Sequence, residues 1–209
     1  MYNWLPLPTI IAGVAFAGGL FLINRAQDKN ADTVSTLINK DFTRRLIAEN
    51  EEEDWKKSWL KYKASSGDIW KLGSGNEVPK ALKDKCKSRL ETKAKWGVAS
   101  EVYEKFVSYC VRDTRISDLL KDQKLVLLSK DGNGDEEGWK QSWQSYIDEN
   151  KESTDVWKVA DFQTKKDQKD TVPEAFKTSC SSNLGSNSIF NTLLIDQVKK
   201  WCTKTQEQK

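Results

Sequence analysis

The chain opens on an unbroken apolar run. Between Leu5 and Ile23 no charged side chain occurs, and Leu7, Ile10, Ile11, Val14, Phe16, Leu20, Phe21, Leu22 and Ile23 leave no polar face on a helical wheel. A helix of that kind has no side to present to water. Its nineteen residues, at 1.5 Å rise each, reach about 28 Å, close to the hydrocarbon thickness of a bilayer. The pattern therefore predicts a transmembrane or signal-anchor segment over residues 1–24. Pro6 and Pro8 fall in its first turn, where a missing backbone donor is tolerated, and Trp4 stands where an interfacial aromatic anchors a helix end. Beyond the run the pattern becomes amphipathic. Trp55, Trp59 and Tyr62 recur at i, i+4 and i+7 with lysines on the opposite side, which predicts a half-buried helix. Leu37, Phe42, Leu46 and Ile47 predict a helix before it, Pro79 starts another over Ala81 to Lys93, and Val98, Val102, Tyr103, Phe106 and Val107 stripe a fourth.

The same pattern then returns. Trp55-Lys56-Lys57-Ser58-Trp59-Leu60-Lys61-Tyr62 recurs as Trp139-Lys140-Gln141-Ser142-Trp143-Gln144-Ser145-Tyr146, preserving W-K-x-S-W-x-x-Y. Trp70 matches Trp157, Val78-Pro79 through Cys86 matches Val172-Pro173 through Cys180, and each copy closes on an aromatic-Cys pair, Tyr109-Cys110 and Trp201-Cys202. Upstream, Leu37-Ile38 with Leu46 aligns on Leu119-Leu120 with Leu128. Ordered matches of this kind indicate an internal duplication. The expected architecture is all-α: an N-terminal transmembrane helix, then two tandem degenerate repeats over 32–111 and 115–203, each a small helical bundle, then a polar tail over 204–209. The aromatics Trp55, Trp59, Tyr62, Trp70, Trp139, Trp143, Tyr146 and Trp157 are expected to form the repeat cores. A carbohydrate platform is the competing reading of that aromatic face.

A unit of 80 to 90 residues holds a marginal core that often needs reinforcement. The four cysteines supply it if Cys86 pairs with Cys110 and Cys180 with Cys202, each bond joining the start of a third helix to the end of a fourth. An even count with one pair per repeat suits an oxidising compartment, whereas inherited core thiols would suit a reducing one.

Charge and composition then narrow the function. The net charge of +3 comes from 34 basic and 31 acidic residues mixed along the chain, so no basic face exists for nucleic acid. Histidine is absent, which removes the commonest general base and the usual zinc imidazole. Asp131-Gly132-Asn133-Gly134-Asp135 resembles a calcium loop, but it offers Glu136 where the loop needs glycine and Ser142 where it needs a bidentate acid. No phosphate loop, dinucleotide fingerprint or nucleophile elbow occurs, and no catalytic, cofactor-binding or metal-ligating residue can be nominated.

Orientation is contested within the sequence. Arg25, Lys29, Lys40 and Arg44 follow the span and nothing basic precedes it, which favours a cytoplasmic body; the cysteine pairs favour an exterior one, and the charge rule weakens for long translocated domains. Ala15-Phe16-Ala17 also offers a cleavage cue, so removal of the segment stays open.

Together, an Ala- and Gly-rich apolar start, W-x3-W-x2-Y, a lone Trp, V-P-x2-L/F-K-x2-C and a closing W/Y-C resemble the paralogous families of uncharacterised membrane or surface proteins of haemotropic mycoplasmas. That resemblance implies a variable surface protein and no biochemical activity. The resulting expectation is a single-pass, membrane-anchored, surface-exposed, non-enzymatic protein that displays antigen or binds a host partner. Its partners would be the lipid bilayer and a protein of unknown identity. An inward-facing anchored adaptor is the alternative. Ser65 to Asn76 and Asn150 to Thr171 are expected to be the variable loops.

Overall fold

The computed structural model describes residues 31–65, 67–131, 135–150, 155–168 and 170–204. The expected span over Leu5 to Ile23, with its cleavage cue, lies outside these residues, as do 132–134 of the calcium-like loop and most of the polar tail. Among the described residues no helix is long and apolar enough to cross a membrane. The fold is mostly helical, as expected, and divides into two compact units. Unit 1 holds Leu46–Arg112 and the chain before Thr43; unit 2 holds Thr43–Arg45 and Asp113–Lys209.

Unit 1 contains α1 (Val34–Lys40), α2 (Glu52–Ala64), α3 (Lys80–Arg89) and α4 (Glu101–Cys110). Thr33 caps α1 by accepting from the Thr36 N–H, and Ser100 caps α4 by accepting from the Tyr103 N–H at 3.2 Å. Such caps satisfy helix-end donors that otherwise lack a partner. Glu52, Glu53 and Asp54 occupy the first turn of α2, with Lys61 and Lys63 in its last, so charge complements the helix dipole at both ends. Pro79 caps α3, since it needs no amide partner there. α4 packs on α1, α2 and α3 and is the central helix of the unit. The core is Val34, Leu37, Ile38, Trp55, Trp59, Tyr62, Trp70, Leu82, Tyr103, Phe106 and Tyr109 with the cysteines.

Unit 2 contains α5 (Ile116–Asp122), α6 (Glu136–Asn150), the one-turn α7 (Phe162–Lys165), α8 (Glu174–Leu184) and α9 (Thr192–Trp201). Here α9 is central, packing on α5, α6 and α8. Asn191 caps it by accepting from the Leu194 N–H at 3.1 Å, and Pro173 caps α8. Gly138 sits where a Cβ would come within 2.7 Å of the Leu128 Cδ2 methyl, so a larger residue in the first turn of α6 requires that leucine to shift.

Several expectations are corrected. The first helix does not run to Ile47: α1 stops at Lys40, and Arg44–Leu46 is a short strand, β1, paired with β2 (Val111–Asp113). Phe42 and Leu46 are exposed, while Ile47 is buried and donates its N–H to Cys110 O at 3.1 Å. Leu128 donates likewise to Cys202 O at 2.9 Å, so its counterpart is Ile47 and not Leu46. The third helix ends at Arg89, because Thr92 and Lys93 leave the helix: Thr92 O accepts from Val34 N, and Lys93 bridges to Thr33. Val98 is not on the α4 stripe; it lies in a 3-10 turn (Gly97–Ala99) and is exposed. Nor is Asn150 to Thr171 a plain surface loop. Asn150 ends α6 buried, and Val159 and Phe162 enter the core.

Candidate functional site

The recurrent motif residues meet at one place in each unit. In unit 1, Trp59 and Tyr62 stack at 5.4 Å with an interplanar angle of 13°. Tyr109 meets the Tyr62 ring edge-on at 5.1 Å, and Trp70 packs beside both. In unit 2, Trp143 and Tyr146 stack at 5.8 Å and 11°, with Trp201 edge-on to Tyr146 at 4.8 Å and Trp157 beside them. Phe162 and Phe176 enlarge this second cluster. Seven of the eight expected core aromatics are buried; Trp157 is half-buried. Each well-oriented ring pair adds about 0.5 to 1.5 kcal/mol beyond area burial. Rings packed on one another this way offer no face for a sugar, so the aromatic platform is ruled out for these residues.

The polar motif positions are occupied for the same reason. Ser58 Oγ donates to Tyr109 O at 2.5 Å, and Ser142 Oγ donates to Trp201 O. Both carbonyls sit one residue before a bridged cysteine, where the last turn of a helix lacks its amide partners. The bridges themselves are Cys86–Cys110 and Cys180–Cys202, each with Cα atoms 5.5 Å apart, and no described cysteine is free. They tie α3 to α4 and α8 to α9. The lysines that precede the cysteine motif have matched duties too. Lys83 Nζ lies 5.6 Å from the Trp55 ring centre, and Lys177 Nζ lies 5.8 Å from that of Trp139.

Three further matched interactions escaped the sequence reading. Tyr62 OH donates to Asp68 and accepts from Trp70 N at 2.9 Å; Tyr146 OH donates to Asp155 and accepts from Trp157 N at 3.1 Å. The signal was present as D-x-W, in Asp68-Ile69-Trp70 and Asp155-Val156-Trp157. Trp55 Nε1 donates to Ala48 O, and Trp139 Nε1 donates to Ser129 O. Finally, Glu51 accepts from Ala48 N and pairs with Arg112 at 2.6 Å, whereas Asp135 accepts from Ser129 N and pairs with Lys204 at 2.5 Å. That last pair exchanges both residue types, so no residue-by-residue match could disclose it. The match is not complete: Trp59 Nε1 donates to Gly75 O at 2.9 Å, but buried Trp143 Nε1 has no hydrogen-bond partner among the described residues.

The electrostatics of the tyrosine sites follow. Burial, then the Asp155 carboxylate, push the Tyr146 hydroxyl well above its ordinary range, and burial with Asp68 raises Tyr62 in the same sense. The hydrogen bond from Tyr62, with the Gly73 N–H behind it, lowers the Asp68 carboxyl. Raised tyrosines stay neutral where free tyrosine ionises, so their share of stability is complete below about pH 10 and falls as the pH rises further. Urea midpoints should therefore hold up to about pH 10 and decline as the pH rises above it. Tyr146→Phe should make that decline shallower, while costing stability at neutral pH. A slope identical to wild type would remove Tyr146 as its source.

The carboxylates face hydroxyls and amides that hold turns, and among the described residues no set of three or more acidic or cysteine side chains could hold a metal ion. Among the described residues, open concavities lie on the surface of each unit. One, of about 650 Å³ in unit 2, is lined by Lys140, Gln144, Asp148, Glu149, Asp170 and Lys200 among others, and its Lys200–Glu149 pair is closed at 2.5 Å. Another, of about 190 Å³ in unit 1, is lined by Ala31, Asp32, Ala94, Lys95, Trp96 and Gly97. Beside it Trp96 is 65% exposed, with backbone φ of 75°.

The class these features define is a disulfide-braced, aromatic-cored helical protein whose recurrent aromatics, serines and cysteines face inward. No protein-family model, curated protein or solved structure matches the chain.

Proposed function

We propose that the protein is a single-pass, membrane-anchored surface protein that acts by binding or display and catalyses no reaction. The observation that carries this reading is the pair of disulfides, one inside each unit. Such bonds persist where the compartment is oxidising, and so favour a body on the outer side of the membrane. They weigh against the inward-facing adaptor that the lysines and arginines after Ile23 suggest. The uncharged run from Leu5 to Ile23 supplies the anchor. The matched hydrogen bonds, ring stacks and bridges support descent of the two units from one duplicated helical bundle. Resemblance to the surface families of haemotropic mycoplasmas favours antigen display or host-partner binding over a purely mechanical role. The inward-facing motif residues leave the outer faces of α2 and α6 free to vary without loss of fold.

Two measurements on intact cells test the reading. Protease added outside should remove the body, and thiol alkylation without reductant should modify no cysteine. A body untouched until the cells are permeabilised, together with four alkylated thiols, would assign it to the inner side.

A further inference from the structure

The loop between α3 and α4 carries a feature that core packing leaves unexplained. Trp96 holds φ of 75° and Gly97 follows with φ of 63°. The left-handed region is natural for glycine and strained for a bulky aromatic residue, and such strain persists where something else is gained. Burial in the protein does not provide the gain, because Trp96 is 65% exposed and neighbouring Val98 is 62% exposed. Among the described residues the ring of Trp96 meets the Lys95 ammonium, 5.9 Å from its centre. In effect the backbone turns the largest apolar side chain of the loop outward.

The position of this loop is also specific. Ala94 N donates to Asp32 O at 2.9 Å, Lys93 Nζ donates to Ala31 O at 2.8 Å, and Val34 N donates to Thr92 O at 3.0 Å. The chain arriving from the amino terminus is thus fastened to the loop, and Ala31, Asp32, Trp96 and Gly97 line the same small cavity. Between Ile23 and Ala31 only residues 24–30 intervene, which extend at most about 25 Å. The Trp96 loop, which lines a cavity with Ala31, is therefore tethered by a short stretch to the end of the apolar run. Lys93 and Lys95 flank Trp96, and Arg25 and Lys29 lie in the intervening stretch, where they outnumber Asp28, while Asp32 lines the cavity. An exposed tryptophan among cations suits the headgroup region of an anionic bilayer, where indole is enriched and basic residues are attracted.

We infer that the Trp96–Val98 loop is a second membrane contact: Trp96 and Val98 insert into the interfacial layer of the bilayer that Leu5–Ile23 anchors. The inference rests on the anchor reading above. It assigns unit 1 the task of resting on the membrane.

The test uses the full chain in vesicles of phosphatidylcholine with one third phosphatidylglycerol, doped with a phospholipid carrying a diazirine high on its acyl chain. After illumination, reduction and tryptic digestion, mass spectrometry compares the peptides 1–25 and 96–105. Both should carry lipid adducts, and peptides from α2 and α6 should not. The double variant Trp96→Asn, Val98→Ser should lose most labelling of 96–105 and retain that of 1–25; asparagine tolerates the left-handed backbone, and an unchanged melting curve verifies the fold. Adducts on 1–25 without adducts on 96–105 would overturn the docking, leave the anchor standing and make the loop a surface for a protein partner. Absence of adducts from both peptides would remove the anchor and the docking together.

Discussion

Trp143→Ala should abolish the folded state of unit 2 at physiological temperature, with a loss of about 3 to 5 kcal/mol. Trp143 is fully buried and its ring meets Tyr146, Phe162 and Phe176, so its removal opens a cavity that three aromatic neighbours border. A unit of this size has little reserve against such a loss. Trp59→Ala should act comparably in unit 1, where Trp59 stacks on Tyr62 and donates to Gly75 O. Trp143→Phe should cost much less than alanine, because phenylalanine refills most of the space and removes an indole N–H that is buried without a partner. Trp96→Ala, by contrast, should barely change stability. Amide exchange of α6 and α9, read against urea, separates these cases. If Trp143→Ala left exchange in those helices unchanged, the ring cluster would not be what holds the unit together.

The second large effect concerns the bridges. Replacing Cys180 and Cys202 together by alanine should destabilise unit 2 by about 3 kcal/mol, from the chain-entropy gain of closing a loop of that length. For a unit of this size that is a fall of roughly 10 to 25 °C in melting temperature. Replacing Cys86 and Cys110 should do the same in unit 1, since the sequence separations of 22 and 24 are nearly equal. Wild type under reductant should match the two double variants combined. Calorimetry that found neither variant lowered by more than a few degrees would show that the bridges do not constrain the unfolded chain.

How much of this was legible in the chain can be traced through particular residues. The helix over Trp55, Trp59 and Tyr62 was readable because a 3.6-residue period is a local signal. The cysteine pairing was readable because the recurring motif offered nearly the same spacing twice, 24 and 22 residues. The end of α1 was not, because Phe42 and Leu46 mimic an apolar stripe while facing solvent, and the backbone of Arg44–Leu46 is claimed by a strand partner far along the chain at Val111–Asp113. The roles of Ser58, Asp68 and Asp155 depend on what stands opposite them across the fold, which no local period encodes. Glu51–Arg112 and Asp135–Lys204 went further, keeping a place while changing both residues. The Trp96 turn was hidden differently. Composition marks a tryptophan as core, and only the backbone shows this one turned out.

The Cys86–Cys110 bond spans the whole loop that carries Trp96, from within α3 to the end of α4. A protease that severs this loop would leave its two fragments covalently joined. On a gel run without reductant such a molecule migrates as if intact, so a clipped population stays invisible until thiol is added.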